Sequence, residues 1–313
     1  MRVDERRLES LRQKYTRWQF LFFPPAFEPL RPVPLTTYLL IVAVSAGLFA
    51  VIGLFVPADG FLGYDWYHYY SRGIREPFYP PWLVYVQWLT WPGLVGLNCA
   101  GLVMALYQRR ASPVRMALPF LSLPALWLLF LGQLDGLVLL GLTGLPWLIP
   151  LASLKPQLSF FAFLTHPRRL VWLGVWVGLS IAVWGFWLTD MFSYDRQWQA
   201  LYTGATQPQN ISLWPWGVPL ALVLLWHSRG DVDMLMLAGS FVTPHLMPYN
   251  YVVVLPALAR IPFWLACLLV AISWLPLSAN WVGDWGWQLG HLFAGTLWLA
   301  LYTKRRRGAV CLP

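Results

Sequence analysis

Charged side chains are scarce in this sequence. They make up 11% of the 313 residues, while 58% of the residues are hydrophobic. An average soluble domain is about 25% charged, so this composition excludes an ordinary soluble protein. Because long apolar runs recur throughout the chain, we predict an all-α polytopic membrane protein.

Cysteine is rare, and motifs for metal, nucleotide or hydrolytic chemistry are missing. Cys99, Cys267 and Cys311 lie far apart and show no metal-ligand or redox spacing, so we interpret them as packing residues or as residues without a specific role. The sequence contains no glycine-rich phosphate loop, zinc-type cluster or nucleophile elbow. These absences argue against hydrolytic triads and cytosolic nucleotide chemistry, and we expect neither a cofactor nor a metal.

Basic residues concentrate at the two ends of the chain and in alternate connections between apolar runs. The net charge of +9 therefore indicates membrane topology rather than binding of nucleic acid. Residues 1–34 are predicted to be a cytoplasmic segment, in which 1–20 forms an amphipathic helix on anionic lipid or, alternatively, a partner-binding helix. Residues 304–313 are predicted to be a basic cytoplasmic tail, and 35–303 a single transmembrane domain.

The apolar runs predict ten membrane crossings with both ends of the chain in the cytoplasm. Run 136–165 is either one long broken helix or a span with a re-entrant piece. Runs 234–242 and 251–258 are short, and the polar break between them is predicted to line an external cavity. The predicted crossings are 35–56, 80–108, 116–131, 136–165, 170–188, 213–227, 234–242, 251–258, 261–279 and 287–302.

Counting the crossings places four polar elements on the external side. They are the loop around Asp65, the turn at Gln133, the loop 189–210 and the break at Pro244. The first of them surrounds one carboxylate with aromatic residues, in the order Gly63-Tyr64-Asp65-Trp66-Tyr67-His68-Tyr69-Tyr70. Such a loop can hold a sugar hydroxyl and remove its proton. The alternative is an interfacial aromatic belt with one solvated aspartate.

Six short motifs follow one another between about residues 35 and 260. They are Asp65 with Tyr69 and Tyr70; Tyr79-Pro80-Pro81; Gly132-Gln133; Lys155-Pro156-Gln157; Asn210-Ile211-Ser212-Leu213; and Thr243-Pro244 followed by Tyr249-Asn250. In this order the chain resembles the GT-C type of polytopic glycosyltransferases, and within it the family-87 group, whose donors are polyprenyl-phosphate sugars.

The resemblance implies a GT-C-like fold of about ten transmembrane helices, with 35–303 as a catalytic domain in the plasma (inner) membrane of a prokaryote. Asp65, in the extracytoplasmic first loop, matches the base that takes a proton from the acceptor hydroxyl while the anomeric configuration inverts. The implied partners are the bilayer, a mannose-like hexose or pentose on polyprenyl phosphate, and a lipid or glycan acceptor, with no nucleic acid. The implied substrate-binding residues are Tyr69, Tyr70, Tyr79, Gln133, Lys155, Gln157, Asn210, Ser212, His245, Tyr249 and Asn250.

Several of these residues also have plainer explanations. Lys155 lies in an apolar stretch and could pair with a phosphate, or it could snorkel toward the cytoplasmic interface. Gln133 and Asp135 could hold sugar hydroxyls or cap a helix. His245 could contact phosphate, or it could be a structural loop histidine.

The chain also departs from the family pattern. It is shorter than most relatives, and Thr143-Gly144-Leu145-Pro146 replaces the usual basic connection between Gln133 and Lys155. Many relatives have histidines where this chain has Tyr249 and Asn250. These departures weaken the assignment of the donor site around Lys155 and of any second catalytic role at the break.

Two other functional classes fit the composition. A transporter or flippase of lipid-linked sugars would use broken helices as a pathway, but ionisable residues inside the predicted spans are few. A non-catalytic membrane subunit could keep the fold, although the presence of Asp65 argues against it. Sugar, acceptor and linkage depend on pocket shape and do not follow from the sequence.

Overall fold

The computed structural model of the chain describes residues 22–24, 27–75, 79–189 and 208–310, with only the backbone of 308–310. The predicted helix over 1–20 and most of the predicted loop 189–210 lie outside the described residues. Within them the chain forms helices and no strand, as predicted. The α-helices are α1 (Leu35–Phe55), α2 (Tyr64–His68), α3 (Trp91–Gln108), α4 (Pro113–Ala117), α5 (Leu123–Leu131), α6 (Asp135–Thr143), α7 (Ile149–Ala152), α8 (Pro156–Phe163), α9 (Pro167–Trp184), α10 (Val218–Ser228), α11 (Val232–Ser240), α12 (Phe263–Ile272), α13 (Ala279–Val282) and α14 (Gly290–Val310). The 3₁₀ helices are Tyr70–Arg72, Pro81–Trp88, Leu118–Leu121, Pro248–Arg260, Leu275–Ser278 and Asp284–Leu289.

Two helical stretches of the described residues are long and apolar enough to cross a membrane, namely α1 and Phe263–Val282. Two more spans are possible if two bent pairs of helices are each counted as one span. In the first pair Pro81–Trp88 meets α3 at a bend of 116°, and in the second Pro113–Leu121 meets α5 at a bend of 63°. These two to four helices fit an α-helical membrane protein. The ten crossings stay a prediction, because most of the other apolar runs form helices too short to span a bilayer alone.

Prolines explain several of the bends. The predicted crossing 80–108 is divided into the 3₁₀ helix Pro81–Trp88 and α3, which begins only after it. Thr90 caps α3 by accepting a hydrogen bond from the Gly93 N–H at 3.2 Å. Pro92 lies in the first turn of α3, where its missing N–H leaves no helical hydrogen bond unmade.

The segment that was predicted as one broken span or a re-entrant piece is divided into three helices. These are α6, α7 and α8, and Pro146 and Pro150 lie between the end of α6 and the middle of α7. Pro156 begins α8 and directly follows Lys155. The breaks therefore place Lys155 at a helix end rather than in the middle of a continuous span.

The 3₁₀ helix Pro248–Arg260 lies in the core of the described structure. All of its residues from 248 to 258 are buried, and it packs against α3, α5 and α6. It follows the predicted polar break, since α11 ends at Ser240 and the next helix begins at Pro248. The break thus joins two buried helices and reaches the interior of the protein.

A buried network of ion pairs ties together the ends of several helices. Arg109 at the end of α3 pairs with Asp233 at the start of α11. Arg260 pairs with Asp233 at 2.8 Å, with Asp231 at 2.6 Å and with Glu28 at 3.1 Å. The network compensates charges that would otherwise be costly to bury. The sequence analysis missed it, because its members are scattered between residues 28 and 260.

The predicted basic tail begins inside the last helix. Helix α14 continues from Gly290 to Val310 and includes the run Lys304-Arg305-Arg306-Arg307. Lys304 donates to the Arg260 carbonyl at 2.8 Å and pairs with Glu28 at 2.6 Å. The first residue of the predicted tail is therefore anchored to the helical domain.

Candidate active site

A cavity of about 390 Å³ lies beside α2, and it brings together many of the residues singled out in the sequence. Its volume falls in the range of roughly 300–1,000 Å³ that is usual for small-molecule sites. The predicted site residues that line it are Asp65, Tyr69, Tyr70, Tyr79, Gln133, His245 and Tyr249. The other lining residues are Tyr64, Ile74, Trp127, Leu131, Gln209, Met247 and Pro248.

Two glycines bring the Asp65 helix close to Gln133. Gly63, at the N-terminus of α2, has a φ of 70° and donates its N–H to the Phe130 carbonyl at 2.6 Å. Gly132 ends α5 with a φ of 72°, and a Cβ atom added there would lie 2.8 Å from the Trp66 Cβ. Both the left-handed backbone and this close approach require glycine, so these residues fix the spacing between α2 and the Gln133 turn.

Gln133 connects the Asp65 carboxylate to a buried lysine. Its Nε2 group donates to Oδ2 of Asp65. Its Oε1 atom accepts from the Lys155 ammonium at 2.6 Å and from the Tyr70 hydroxyl at 3.2 Å. Since an ammonium can only donate, the Gln133 oxygen must face Lys155 and its NH₂ group must face Asp65. The predicted aspartate therefore has a defined hydrogen-bond donor at its side.

Lys155 is buried and paired with a carboxylate, and it does not snorkel. Only 1% of its surface is exposed. Its ammonium lies 2.8 Å from Oδ2 of Asp135, whose other oxygen accepts from Nδ2 of Asn250 at 2.6 Å. The Tyr249 ring centroid is 5.1 Å from the ammonium. Asp135 thus supplies the negative partner for which the sequence analysis proposed a phosphate, and its side chain makes no helix-capping bond.

The groups around Asp65 have opposite effects on the pKa of its carboxyl group. Burial raises the pKa of its carboxyl group above the usual value, while the positive charge of Lys155 and the hydrogen bond from Gln133 work against that rise. Burial, followed by the charge of Lys155, lowers the pKa of His245 to about 4. His245 is therefore neutral near pH 7, and it can contact a ligand through a neutral imidazole only.

Three predicted substrate-binding residues lie outside the cavity lining and support its wall. Oδ1 of Asn210 accepts from the N–H groups of Ser212 and Leu246, both at 3.1 Å. The Ser212 hydroxyl donates to the Thr243 carbonyl at 2.7 Å. Oδ1 of Asn250 accepts from the Met247 N–H at 2.7 Å. The bonds of Asn210 and Ser212 hold the segment after residue 208 against the break at 243–247, and the Asn250 bond joins the end of that break to the next helix.

Gln157 also lies outside the cavity lining, in the first turn of α8. Its backbone carbonyl is 3.4 Å from the Thr243 hydroxyl, which donates to it. This contact joins α8 to the break through the main chain. The structure thus gives the Gln157 backbone a packing role and does not bring its side chain to the cavity lining.

Asn98 is a polar residue of the site region that the sequence analysis missed. It lies in α3 and is 3% exposed. Its Nδ2 group donates to the Gln133 carbonyl at 2.8 Å, and its Oδ1 atom accepts from the Leu137 N–H at 3.1 Å. One amide therefore satisfies both the Gln133 backbone and the start of α6. A lone amide within the apolar run 94–106 was the signal that could have revealed it.

Among the described residues, His, Cys, Asp and Glu side chains form no group of three or more that could hold a metal ion. What the arrangement offers is a carboxylate in an aromatic cavity, held by an amide that also contacts a buried ammonium.

No family model, curated protein or solved structure matches this chain.

Proposed function

We propose that this chain is an inverting membrane glycosyltransferase of the GT-C type. It would move a mannose-like hexose or pentose from a polyprenyl-phosphate donor to a lipid or glycan acceptor on the extracytoplasmic side. The observation that carries this proposal is the Asp65 carboxylate, which lines the aromatic cavity and is held there by Gln133. The order of the six sequence motifs, which include Asp65 and Gln133, supports it as well.

In the proposed reaction Asp65 accepts the proton of the acceptor hydroxyl. The acceptor oxygen forms a bond to the anomeric carbon from the side opposite the phosphate, and the carbon–oxygen bond to the lipid phosphate breaks. The electron pair of that bond leaves with the polyprenyl phosphate, so the configuration inverts. A general base at such a step contributes typically about 10²- to 10⁴-fold in rate.

The aromatic lining suits a sugar substrate. Tyr64, Tyr69, Tyr70, Tyr79 and Tyr249 line the cavity together with Trp127. Aromatic rings present an apolar face to the C–H bonds of a sugar, and tyrosine hydroxyls can donate to or accept from its hydroxyl groups. The donor phosphate would meet hydroxyl donors in this cavity, since the ammonium of Lys155 is engaged by Asp135 and Gln133.

A transfer assay with purified protein tests the proposal. The full chain in vesicles would be supplied with a panel of polyprenyl-phosphate sugars and with lipid acceptors, and mass spectrometry would follow the sugar. We expect transfer by the wild type and its loss in Asp65→Asn. Movement of intact lipid-linked sugar across the bilayer without any transfer would instead favour a flippase. If no donor gives either transfer or movement, the result would favour a structural subunit.

A further inference from the structure

The buried lysine of the site reaches Asp65 through a single amide group. Lys155 Nζ donates to Oε1 of Gln133 at 2.6 Å, and Nε2 of the same amide donates to Asp65. Gln133 is 4% exposed and Lys155 is 1% exposed. The connection is therefore shielded from water, where the interaction between charges is stronger than at a surface.

The direction of this connection is fixed by the surrounding donors. Lys155 and Tyr70 both donate to the side-chain oxygen Oε1 of Gln133. The backbone carbonyl of Gln133 accepts from Asn98. A reversed amide would place its NH₂ group against the lysine ammonium, where neither group can accept a hydrogen bond. The Gln133 amide dipole consequently presents its positive end to Asp65.

The other charged groups near Asp65 determine the net electrostatic effect of Lys155 on its carboxyl group. Asp135 pairs with Lys155 at 2.8 Å and offsets part of that charge. The charge of Lys155 nevertheless acts on Asp65 more strongly than that of Asp135, and His68 has a smaller effect from the same helix as Asp65. Among the residues that the structure describes, the titratable or charged groups that face Asp65 or share its cavity are His68, Tyr64, Tyr69, Tyr70, Tyr79, Asp135, Lys155, His245 and Tyr249.

We propose that Lys155 is a positioning residue that acts on Asp65 through the Gln133 amide, and that it is not the ligand of the donor phosphate. The lysine charge and the oriented amide favour the ionised form of the partly buried Asp65 carboxylate and keep it directed at the cavity. The role of Asp65 as the base rests on the proposed function. The electrostatic link between Lys155, Gln133 and Asp65 is a property of the protein alone.

The test is an infrared titration of the full chain in lipid, without any substrate. The carbonyl band of the protonated Asp65 carboxyl group is assigned by its absence in Asp65→Asn. Its midpoint is then measured in Lys155→Met and Gln133→Leu, and in Ser159→Ala as the control. Ser159 is a buried neutral residue of α8, the helix that follows Lys155.

We expect the Asp65 midpoint to rise by about one to two pH units in Lys155→Met and in Gln133→Leu. In Lys155→Met this is the effect of a unit charge one amide group away at an effective dielectric constant of about 20. In Gln133→Leu the lysine charge remains, and the rise comes from the loss of the hydrogen bond that the amide donates to the carboxylate. Ser159→Ala should keep the wild-type midpoint. Because Lys155→Met alone leaves Asp135 unpaired, the double variant Lys155→Met with Asp135→Asn is measured as well, and its midpoint should rise by a smaller amount.

An Asp65 midpoint equal to that of the wild type in both Gln133→Leu and the double variant would overturn the inference. The outcome is independent of the transfer assay. If the midpoints shift but no donor is used, the positioning role stands and the proposed function fails. If sugar is transferred but the midpoints do not move, the function stands and Lys155 has another role.

Discussion

The ammonium of Lys155 lies 2.8 Å from a carboxylate oxygen of Asp135, and both side chains are almost completely buried. The two residues belong to different helical segments, since Asp135 begins α6 and Lys155 directly precedes α8. The pair joins them behind the cavity that Asp65 lines. It also explains how an apolar part of the chain can contain a charged lysine, because the opposite charge is supplied within the protein.

The first prediction concerns the proposed base. Asp65→Asn keeps the size of the side chain and removes its charge and its ability to take a proton. We expect transfer to fall by about 10²-fold or more while the protein stays folded. Transfer rate and thermal unfolding in detergent are the measurements. Ser71→Ala, a change at an exposed position of the 3₁₀ helix that follows α2, is the control. An Asp65→Asn protein with full transfer would exclude Asp65 as the base.

The second prediction concerns the pH dependence of transfer. A base must be unprotonated to act, and burial raises the pKa of Asp65. The carboxyl group therefore keeps its proton to a higher pH than an exposed aspartate, whose pKa is about 3.9. We expect kcat/KM to fall on the acid side with a midpoint above that value. A profile that stays flat down to about pH 4 would contradict this expectation, and residual activity of Asp65→Asn should show no such limb.

The third prediction concerns the buried pair behind the cavity. Lys155→Met leaves the Asp135 carboxylate without its ammonium, so we expect a loss of about 3–5 kcal/mol in the free energy of unfolding. Adding Asp135→Asn removes the uncompensated charge and should restore most of that loss. Lys304→Met breaks a half-exposed pair with Glu28 and should cost no more than about 1 kcal/mol. Equal losses in Lys155→Met and Lys304→Met would show that the burial of the first pair does not matter.

The fourth prediction concerns the ion network at the ends of the helices. Arg260→Met removes the partner of Asp231 and one of the two partners of Asp233. We expect this change to cost about 3–5 kcal/mol of stability, because the carboxylates remain buried. Arg306→Met, a change on the exposed face of α14, serves as the control. An unfolding temperature of Arg260→Met that matches the control would contradict the prediction.

The fifth prediction concerns topology. In a protein whose three cysteines are replaced by alanine, Phe61→Cys should react with a membrane-impermeant thiol reagent in intact cells, and Ser112→Cys should not. Both positions are exposed. Phe61 lies in the loop between α1 and α2, and Ser112 directly precedes α4, so the predicted crossing 80–108 separates them. Gly63 is unsuitable for this purpose, since its φ of 70° disfavours a side chain. Labelling of Ser112→Cys with Phe61→Cys unreactive would invert the predicted topology and remove the external active site.

The apolar runs by themselves predicted the class of the protein and the positions of many helices. Run 35–56 is long and apolar enough to span a membrane, where a helix satisfies its own backbone hydrogen bonds, and it forms α1. A break in this region was also predicted, between 242 and 251, because Pro244 cannot continue a helix. In the structure the break covers 241–247, and Pro248 already begins the next helix. The aromatic loop around Asp65 was identified as a candidate site on composition alone.

Only the tertiary structure decided which polar groups meet. The pairing of Lys155 with Asp135 and the orientation of Gln133 depend on how three helical segments pack, and no local pattern encodes that packing. Asn98 lies 35 residues from the Gln133 carbonyl that it holds, so its role was invisible along the chain. The sequence determined which residues could carry charge into the apolar interior of the protein, because burial of charge is costly everywhere. The fold determined how each charge is compensated, because compensation requires contact in space.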